Sequence, residues 1–367
     1  MKPKVLHIGN ELSWRGGENQ ILLLCQGAQS DFDFFIAYPK GSRGLKKFSE
    51  HGFPCLELPT VKPSLRNHWA LKDFVSKNEI QLIDAQSSGG HSMALRLKKS
   101  LPHLKLVVHR RVDNVIKRQF FTRRKYLSPM VDQFVCISRK IQEMVIQYGV
   151  PTSKVSLVPS AVDGSKYDRI DKPTARQHLL SIAKVSDSTS IIGNASAFTD
   201  QKDPVSFVRA IAELAKTDVL FTAFMAGDGP LLDDCKALAK QLQVEDKIHF
   251  LGFIDWVPSF LSGLDILFVP SSNEGLGTIV LDGIWAEAAV AASAVGGIPE
   301  MIKPEQTGLL FPPRDAQAMA NALKALCQSS EACENYRIAA RKLVEEQFSL
   351  KAMVQGNSDI YRRLLTT

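Results

Sequence analysis

Short apolar runs alternate with amphipathic stretches along nearly all of the 367 residues. Runs at 5–8, 34–36, 55–58, 81–84, 106–108, 134–137 and 155–158 have strand length and strand composition. Most are separated by stretches with helical spacing, as at 17–29, 71–77, 92–99 and 139–147. The alternation lapses from Pro159 to about Ser188, where Gly164, Pro173 and several charges leave room for one short helix at 174–184. It resumes with strands predicted at 191–192, 220–225, 248–250, 266–269, 290–293 and 308–311. The helices predicted for this second series are 205–214, 231–242, 278–286 and 316–327, followed by 332–347 and 350–365. Apolar strands separated by helices predict βαβ units and parallel sheets, so the fold class is α/β with two doubly wound sheets in tandem.

The expected domains are 1–160, a connector at 161–188, a second domain at 189–347, and a terminal helix at 348–367 packing back on the first domain. Ligands of such sheets bind outside the carboxyl ends of the strands, so each loop after a strand is a candidate site.

Charge adds a second division. The chain carries a net +7, but residues 1–160 hold 25 Lys and Arg against 12 Asp and Glu, and the remainder holds 20 against 26. Two lobes with different partners are implied. Six dispersed cysteines form no Cys-x-x-Cys pair, which argues against a disulfide framework or a structural metal. The apolar stretch at 5–8 is too short for a signal-peptide core, and no run approaches the ~18 residues of a membrane span. A cytoplasmic protein is expected, with membrane contact at most peripheral, at the inner face.

The richest chemical segment is Ser271-Ser-Asn-Glu-Gly-Leu-Gly-Thr278, between an apolar strand and a helix. Gly275 and Gly277 bare the backbone, and the first N–H groups of the helix, with Thr278 as cap, can receive an anion there. A carboxylate at Glu274 suits neutral hydroxyls such as those of a sugar. Asp282, about one turn on, can reach a ribose diol. An ordinary capped turn with two solvated acids would show the same residues. Lys202 overhangs the same edge as a phosphate partner, and Gly227 and Gly229 of Gly-Asp-Gly-Pro230 can wall a nucleotide base. In the first half, Arg15, Gly16 and Gly17 follow the first strand, and His109 ends another, where it can meet a hydroxyl. Arg110, Arg111, Lys117, Arg118, Arg123, Arg124 and Lys125, interleaved with Phe120, Phe121 and Tyr126, suit an anionic acceptor, a membrane surface or RNA. A solvated helical face is the plain alternative.

In this order the motifs resemble the retaining glycosyltransferases of family 4 (group 1 glycosyltransferases) over nearly the whole chain. The residues that carry the resemblance are Gly16-Gly17, His109, Pro159-Ser-Ala-Val-Asp163, Gln201-Lys-Asp-Pro204, Gly227-Asp-Gly-Pro230, Phe250-Leu-Gly252, Glu274-Gly-Leu-Gly277 and Val295-Gly-Gly-Ile-Pro-Glu300. The resemblance implies the GT-B fold, two Rossmann-like domains facing across a cleft. It implies Glu274 on donor-sugar hydroxyls, Asp282 on the ribose, and Lys202 with the loop N–H groups on the diphosphate. It further implies His109 beside the transferred sugar and Gly16 and Gly17 lining the cleft. Departures are Asp282 for Glu, Ala197 for an arginine, Glu287 and Ala289 for Gly and Pro, and Ala294 for Asp. Arg15 is a candidate substitute for the missing arginine.

The expected activity is transfer of a sugar from a nucleotide-diphosphate donor to an acceptor hydroxyl. It is expected to proceed with retention, without metal or other cofactor. The basic lobe points to an anionic acceptor, such as a cell-envelope glycan, a lipopolysaccharide core or a lipid, and no RNA module motif is present. A degenerate nucleotide-sugar-binding protein and a nucleotide-sugar epimerase are the alternatives.

Overall fold

A computed structural model describes residues 2–366. The chain divides into two compact units. The first runs to Ala161 and takes in the chain again from Leu350; the second is Val162–Ser349.

The strands of the first unit are β1 (Lys4–Ile8), β2 (Asp33–Pro39), β3 (Cys55–Leu58), β4 (Leu82–Ala85), β5 (Lys105–Arg110), β6 (Gln133–Cys136) and β7 (Val155–Leu157). They pair in the order β3-β2-β1-β4-β5-β6-β7, all parallel. Its helices are α1 (Gly16–Ala28), α2 (Arg43–Glu50), α3 (Leu65–Asn78), α4 (Ser88–Ser100), α5 (Phe120–Tyr126) and α6 (Arg139–Gln147), joined by the chain's last helix (Leu350–Thr366). The order reverses between β1 and β4. In such sheets the crevice at the reversal is where ligands bind. The core is drawn from strand residues such as Val5 and Phe34, from Ile21 of α1, and from Tyr361 of the last helix.

The second unit opens with α7 (Lys172–Ala183). Its sheet comprises β8 (Ser190–Ala195), β9 (Phe221–Ala226), β10 (Ile248–Gly252), β11 (Ile266–Val269), β12 (Ala289–Ser293) and β13 (Leu309–Phe311), in the order β10-β9-β8-β11-β12-β13. Its other helices are α8 (Pro204–Leu214), α9 (Leu232–Gln241), α10 (Val257–Ser262), α11 (Thr278–Trp285), α12 (Ile298–Met301), α13 (Ala316–Gln328) and α14 (Ser330–Gln347), which leaves the last helix as α15. The reversal lies between β8 and β11, where Ile192 pairs with Ile266. Fully buried rings anchor the core, with Phe207 of α8 and Phe268 of β11 at 4.9 Å between centroids.

Both sheets are parallel and doubly wound, as the alternation predicts. Helices α2, α5, α10 and α12 are additions; at four to eight residues they are too short for periodicity to declare. Helix α3 starts six residues earlier than its apolar stripe, because Ser64 Oγ accepts from Asn67 N (3.1 Å). The segment read as a connector, 161–188, belongs almost wholly to the second unit.

Candidate functional site

At the reversal of the second sheet, the loop after β8 meets the loop after β11. Ser272 N donates to Gln201 O (2.9 Å) and Ser272 Oγ to Asp200 O (2.8 Å), lacing the loops together. Asp203 caps α8 through Ser206 N (3.1 Å) and ends the first loop. Lys202 and Glu274, 72 residues apart, are thereby joined: Lys202 Nζ lies 2.6 Å from Glu274 Oε1. Ser271 Oγ donates to the same oxygen (2.9 Å). Glu274 is buried while Lys202 keeps a quarter of its side chain exposed (25%). A buried carboxylate so paired is held in one orientation, and its second oxygen stays available as an acceptor.

Behind Glu274, residues Gly275, Leu276 and Gly277 lead into α11. Gly277, with φ 88°, is the N-cap, so Thr278 is the first helical residue and not the cap expected of it. The first N–H groups of this helix have no partner within it, and it starts four residues after Glu274, the partner of Lys202. The backbone at Gly296 (φ 55°) packs on this loop so closely that a Cβ there would fall 1.5 Å from Glu274 O. Only glycine fits, which fixes the signature loop against the turn after β12.

Asp282 is part-buried in the second turn of α11. Burial raises its pKa, while Lys166 and the Tyr167 hydroxyl, 3.0 Å from Oδ1, pull it back. Beside the same sheet edge lies a cavity of about 260 Å3 lined by Ala195, Ser196, Ala197, Ala226, Gly227, Asp228, Phe253, Ile254 and Val257. Gly229 continues the turn beyond it, its backbone against that of Phe198.

In the first unit, Arg15 is the N-cap of α1, with its N–H on Glu18 Oε2 (3.0 Å), and Gly16 and Gly17 open the helix. Arg111 lies against Gly17, where a Cβ would be 3.4 Å from Arg111 Cδ. Its guanidinium donates to Gln86 Oε1 (3.0 and 3.2 Å), and Gln86 Nε2 in turn donates to His7 Nδ1 (3.0 Å). Burial lowers the His7 pKa to about 4, against an opposing pull from Asp84. His109 is buried and both ring nitrogens are engaged: Nδ1 with Asp84 Oδ1 (2.7 Å) and Nε2 with Asn357 Oδ1 (3.1 Å). Tyr361 donates to the other oxygen of Asp84. Burial pushes the Asp84 carboxyl up, but His109, His7 and the Tyr361 hydroxyl together hold it below the usual range. The ring nitrogen expected to meet a hydroxyl is therefore committed to α15.

The basic cluster divides. Arg110 reaches the Tyr126 hydroxyl (2.5 Å) and the carbonyl of Asn114, and Lys125 donates to Ser88 O and Oγ (2.5 and 2.9 Å). Burial, with Arg110 nearby, depresses the Lys125 pKa to about 8. Arg110, Arg111 and Lys125 are thus half-buried and tied to neighbours, whereas Lys117, Arg118, Arg123 and Arg124 are exposed with Phe120 and Phe121. Among the described residues, no three His, Cys, Asp or Glu side chains could share a metal ion. An Asp-x-Asp triplet, the carboxylate pair that a metal-bridged diphosphate would want, occurs at Asp31-Phe32-Asp33, but at the start of β2, remote from the carboxyl edge, with Asp31 on Arg362 (2.6 Å).

Two family models match in tandem. Residues 14–166 match "Glycosyltransferase Family 4" and residues 181–343 match "Glycosyl transferases group 1". The chain belongs to the group 1, family 4 glycosyltransferases. One relative is the N-acetyl-alpha-D-glucosaminyl L-malate synthase of Bacillus anthracis, 28% identical over 59% of this chain and 55% of that protein. The chain spans about half the length of the curated relatives it matches. A glycosyltransferase from Rickettsia africae superposes with a TM-score of 0.87 at 20% identity, covering 99% of both chains. Anabaena HepE, solved with UDP and glucose, superposes with 0.84 at 17% identity over the whole of both. These likenesses establish the GT-B fold.

Within this family pattern the departures acquire structural content. Glu287, where the pattern has glycine, adopts φ 60°, a conformation that costs a non-glycine residue ~1–2 kcal/mol. Lys172 Nζ bonds its carbonyl (2.8 Å) and reaches its carboxylate (3.5 Å), which offsets part of that strain. Ala294 simply continues the ladder, its N–H on Phe311 O (2.9 Å). Ala197, in place of arginine, leaves the cavity lining without a cation, Asp228 being its one charged residue. Sequence reasoning missed Gln86, Asp84, Asn357, Tyr361 and Tyr167. Each finds its partner through the fold, and only Asp84, an acid ending an apolar strand, carried a local signal.

Proposed function

We propose that the chain is a retaining glycosyltransferase acting on a nucleotide-diphosphate sugar. The observation that carries this reading is the meeting of Lys202 and Glu274 at the reversal of the second sheet, beside the start of α11. One cationic and one hydroxyl-accepting group converge where the backbone N–H groups of Leu276, Gly277 and Thr278 offer an anion site. A diphosphate entering there takes Lys202 as partner, and Glu274 turns to the hydroxyls of the sugar. The cavity beside Ala197 and Gly227 receives the base, and Asp282 the ribose.

The chemistry follows from charge. The C1–O bond to the diphosphate breaks, negative charge grows on the departing phosphate oxygen, and preorganised donors stabilise it there. The acceptor hydroxyl forms its bond to C1 from the same face and passes its proton to that oxygen. The positive machinery makes the step independent of a metal ion. The family pattern assigns His109 a place beside the sugar. Its ring is tied to Asp84 and Asn357 and acts there by position. Arg15, Gly16 and Gly17 belong to the first unit's crevice, with Arg111 behind them.

The acceptor is proposed to be anionic, a cell-envelope glycan or a lipid-linked saccharide. Arg118, Arg123, Arg124 and Lys117, with Phe120 and Phe121, form a face suited to the inner surface of an anionic membrane. Lys202→Ala and Glu274→Ala should each lower transfer by ~10²-fold or more in an assay with mixed sugar nucleotides and cell-envelope extract. Full transfer in both variants would falsify the site. Binding of sugar nucleotides without turnover by the native chain would instead favour a degenerate binding protein, a reading for which Ala197 is the specific support. An altered sugar nucleotide formed without acceptor would indicate an epimerase.

A further inference from the structure

Asp282 is one methylene shorter than the glutamate of the family pattern, so something must supply the lost reach and orientation. Segment 163–167, just after the boundary between the units, sits directly on α11. Asp163 closes a tight turn through Ser165 N and Oγ (3.2 and 2.6 Å). Gly164 lies flat against the Trp285 ring, where a Cβ would come within 2.2 Å of ring carbon. The Arg341 guanidinium stacks on that ring at 3.6 Å, and its Nη1 donates to Trp285 O (3.1 Å). The turn and the helix end are thereby locked together, and Tyr167 is delivered with its hydroxyl 3.0 Å from Asp282 Oδ1.

The hydroxyl is a donor under all ordinary conditions. Burial, then the adjacent Asp282, pushes its pKa far above the usual phenol range. It therefore occupies Oδ1 permanently and leaves Oδ2 as the acceptor. Burial raises the Asp282 pKa, and Lys166 and then the bond from this hydroxyl oppose that rise.

We propose that Tyr167 is a positioning residue for the donor nucleotide: its hydroxyl fixes the short Asp282 carboxylate so that the remaining oxygen receives the ribose. This rests on the donor-site reading above. Tyrosine and aspartate here act as one unit replacing a single longer acid. A longer acid at 282 would need no hydroxyl at 167, and with Oδ1 already 3.0 Å from that hydroxyl an added methylene is expected to crowd it.

The test is calorimetry of the full chain with UDP, CDP, GDP and ADP, followed by the 2′-deoxy form of whichever binds. Tyr167→Phe should weaken binding about tenfold, the loss of a hydrogen bond to a charged group. Asp282→Glu alone should weaken it comparably, whereas the double variant Tyr167→Phe/Asp282→Glu should return to within about threefold of native. The 2′-deoxy nucleotide should cost the native chain more than it costs Tyr167→Phe. Turnover, where measured, should change in donor KM with kcat nearly constant. Native-like binding by a folded Tyr167→Phe overturns the proposal, as does a double variant that folds and binds no better than either single one. If Tyr167→Phe alone fails to fold, the double variant decides by the same criterion. Lys202→Ala separates the two readings. If no diphosphate binds the native chain, or Lys202→Ala leaves binding intact, the donor site itself falls and this proposal with it. Binding lost in Lys202→Ala but untouched in Tyr167→Phe removes this proposal alone.

Discussion

His7 shows how much a single buried side chain can set the pH response. It is fully buried on β1, accepts from Gln86 through Nδ1, and has no partner at Nε2. Burial holds its pKa near 4 against 6.5 in an exposed chain. Between those values the unfolded chain binds a proton that the folded chain refuses. Stability is therefore complete above about pH 6.5 and declines as pH falls toward 4, by up to ~1.4 kcal/mol per pH unit. His7→Gln should lower stability at pH 7 yet flatten that decline, read as urea midpoints at pH 4.5, 5.5 and 7. A slope unchanged from native would assign the acid sensitivity to other groups. Glu274 and Lys202 were legible at this scale, because an acid or lysine after an apolar strand and before a helix must lie at the sheet's carboxyl edge. That they touch was not legible, since nothing local connects positions 72 residues apart.

At the scale of elements, α15 is the informative case. Its chain neighbours lie in the second unit, yet it packs on α1 of the first. Two of its polar residues serve the buried cluster: Asn357 holds His109, and Tyr361 holds Asp84. Its outer face makes an ion pair, Arg362 with Asp31 at 2.6 Å, both about half exposed. The two attachments should differ in worth. Tyr361→Phe leaves a buried carboxylate short of a donor and should cost ~1–3 kcal/mol. Arg362→Ala removes a screened surface pair and should cost at most ~1 kcal/mol. Urea unfolding of both variants checks the order, and equal losses would mean that Asp84 does not depend on Tyr361. The helix was readable from its apolar spacing; the burial of Asn357 and Tyr361 against partners some 250 residues away was not.

The molecule as a whole is electrostatically divided. By sequence count, the first unit with its returning helix holds 28 Lys and Arg against 13 Asp and Glu, and the second holds 17 against 25. On the basic unit, Phe120 is 65% and Phe121 82% exposed, and no residue of α5 is buried. No described helix is long and apolar enough to cross a bilayer. The surface association proposed above would set cations on anionic headgroups and rings at the acyl boundary. Vesicles containing anionic lipid should sediment the protein at low salt and release it as salt rises, because exposed charges are screened within ~10 Å at 0.1 M. Phe120→Ala/Phe121→Ala and Arg123→Ala/Arg124→Ala should each reduce binding severalfold, whereas neutral vesicles should bind little. Equal binding to neutral vesicles would dismiss the electrostatic account.

The order of apolar and polar positions by itself determined the two parallel sheets, the loops at their carboxyl edges and the residues in those loops, because strand and helix periods are local properties of the chain. Composition also located the basic cluster, but could not divide it: which of Arg110, Arg111 and Lys125 turn inward depends on Tyr126, Gln86 and Ser88, which meet them only after folding. Tertiary structure alone decided that Lys202 faces Glu274, that His109 is spent on α15, and that Tyr167 completes Asp282. The reason is physical: a hydrogen bond needs its partner within about 3 Å, and between distant segments that proximity is created by strand order, which no local pattern encodes.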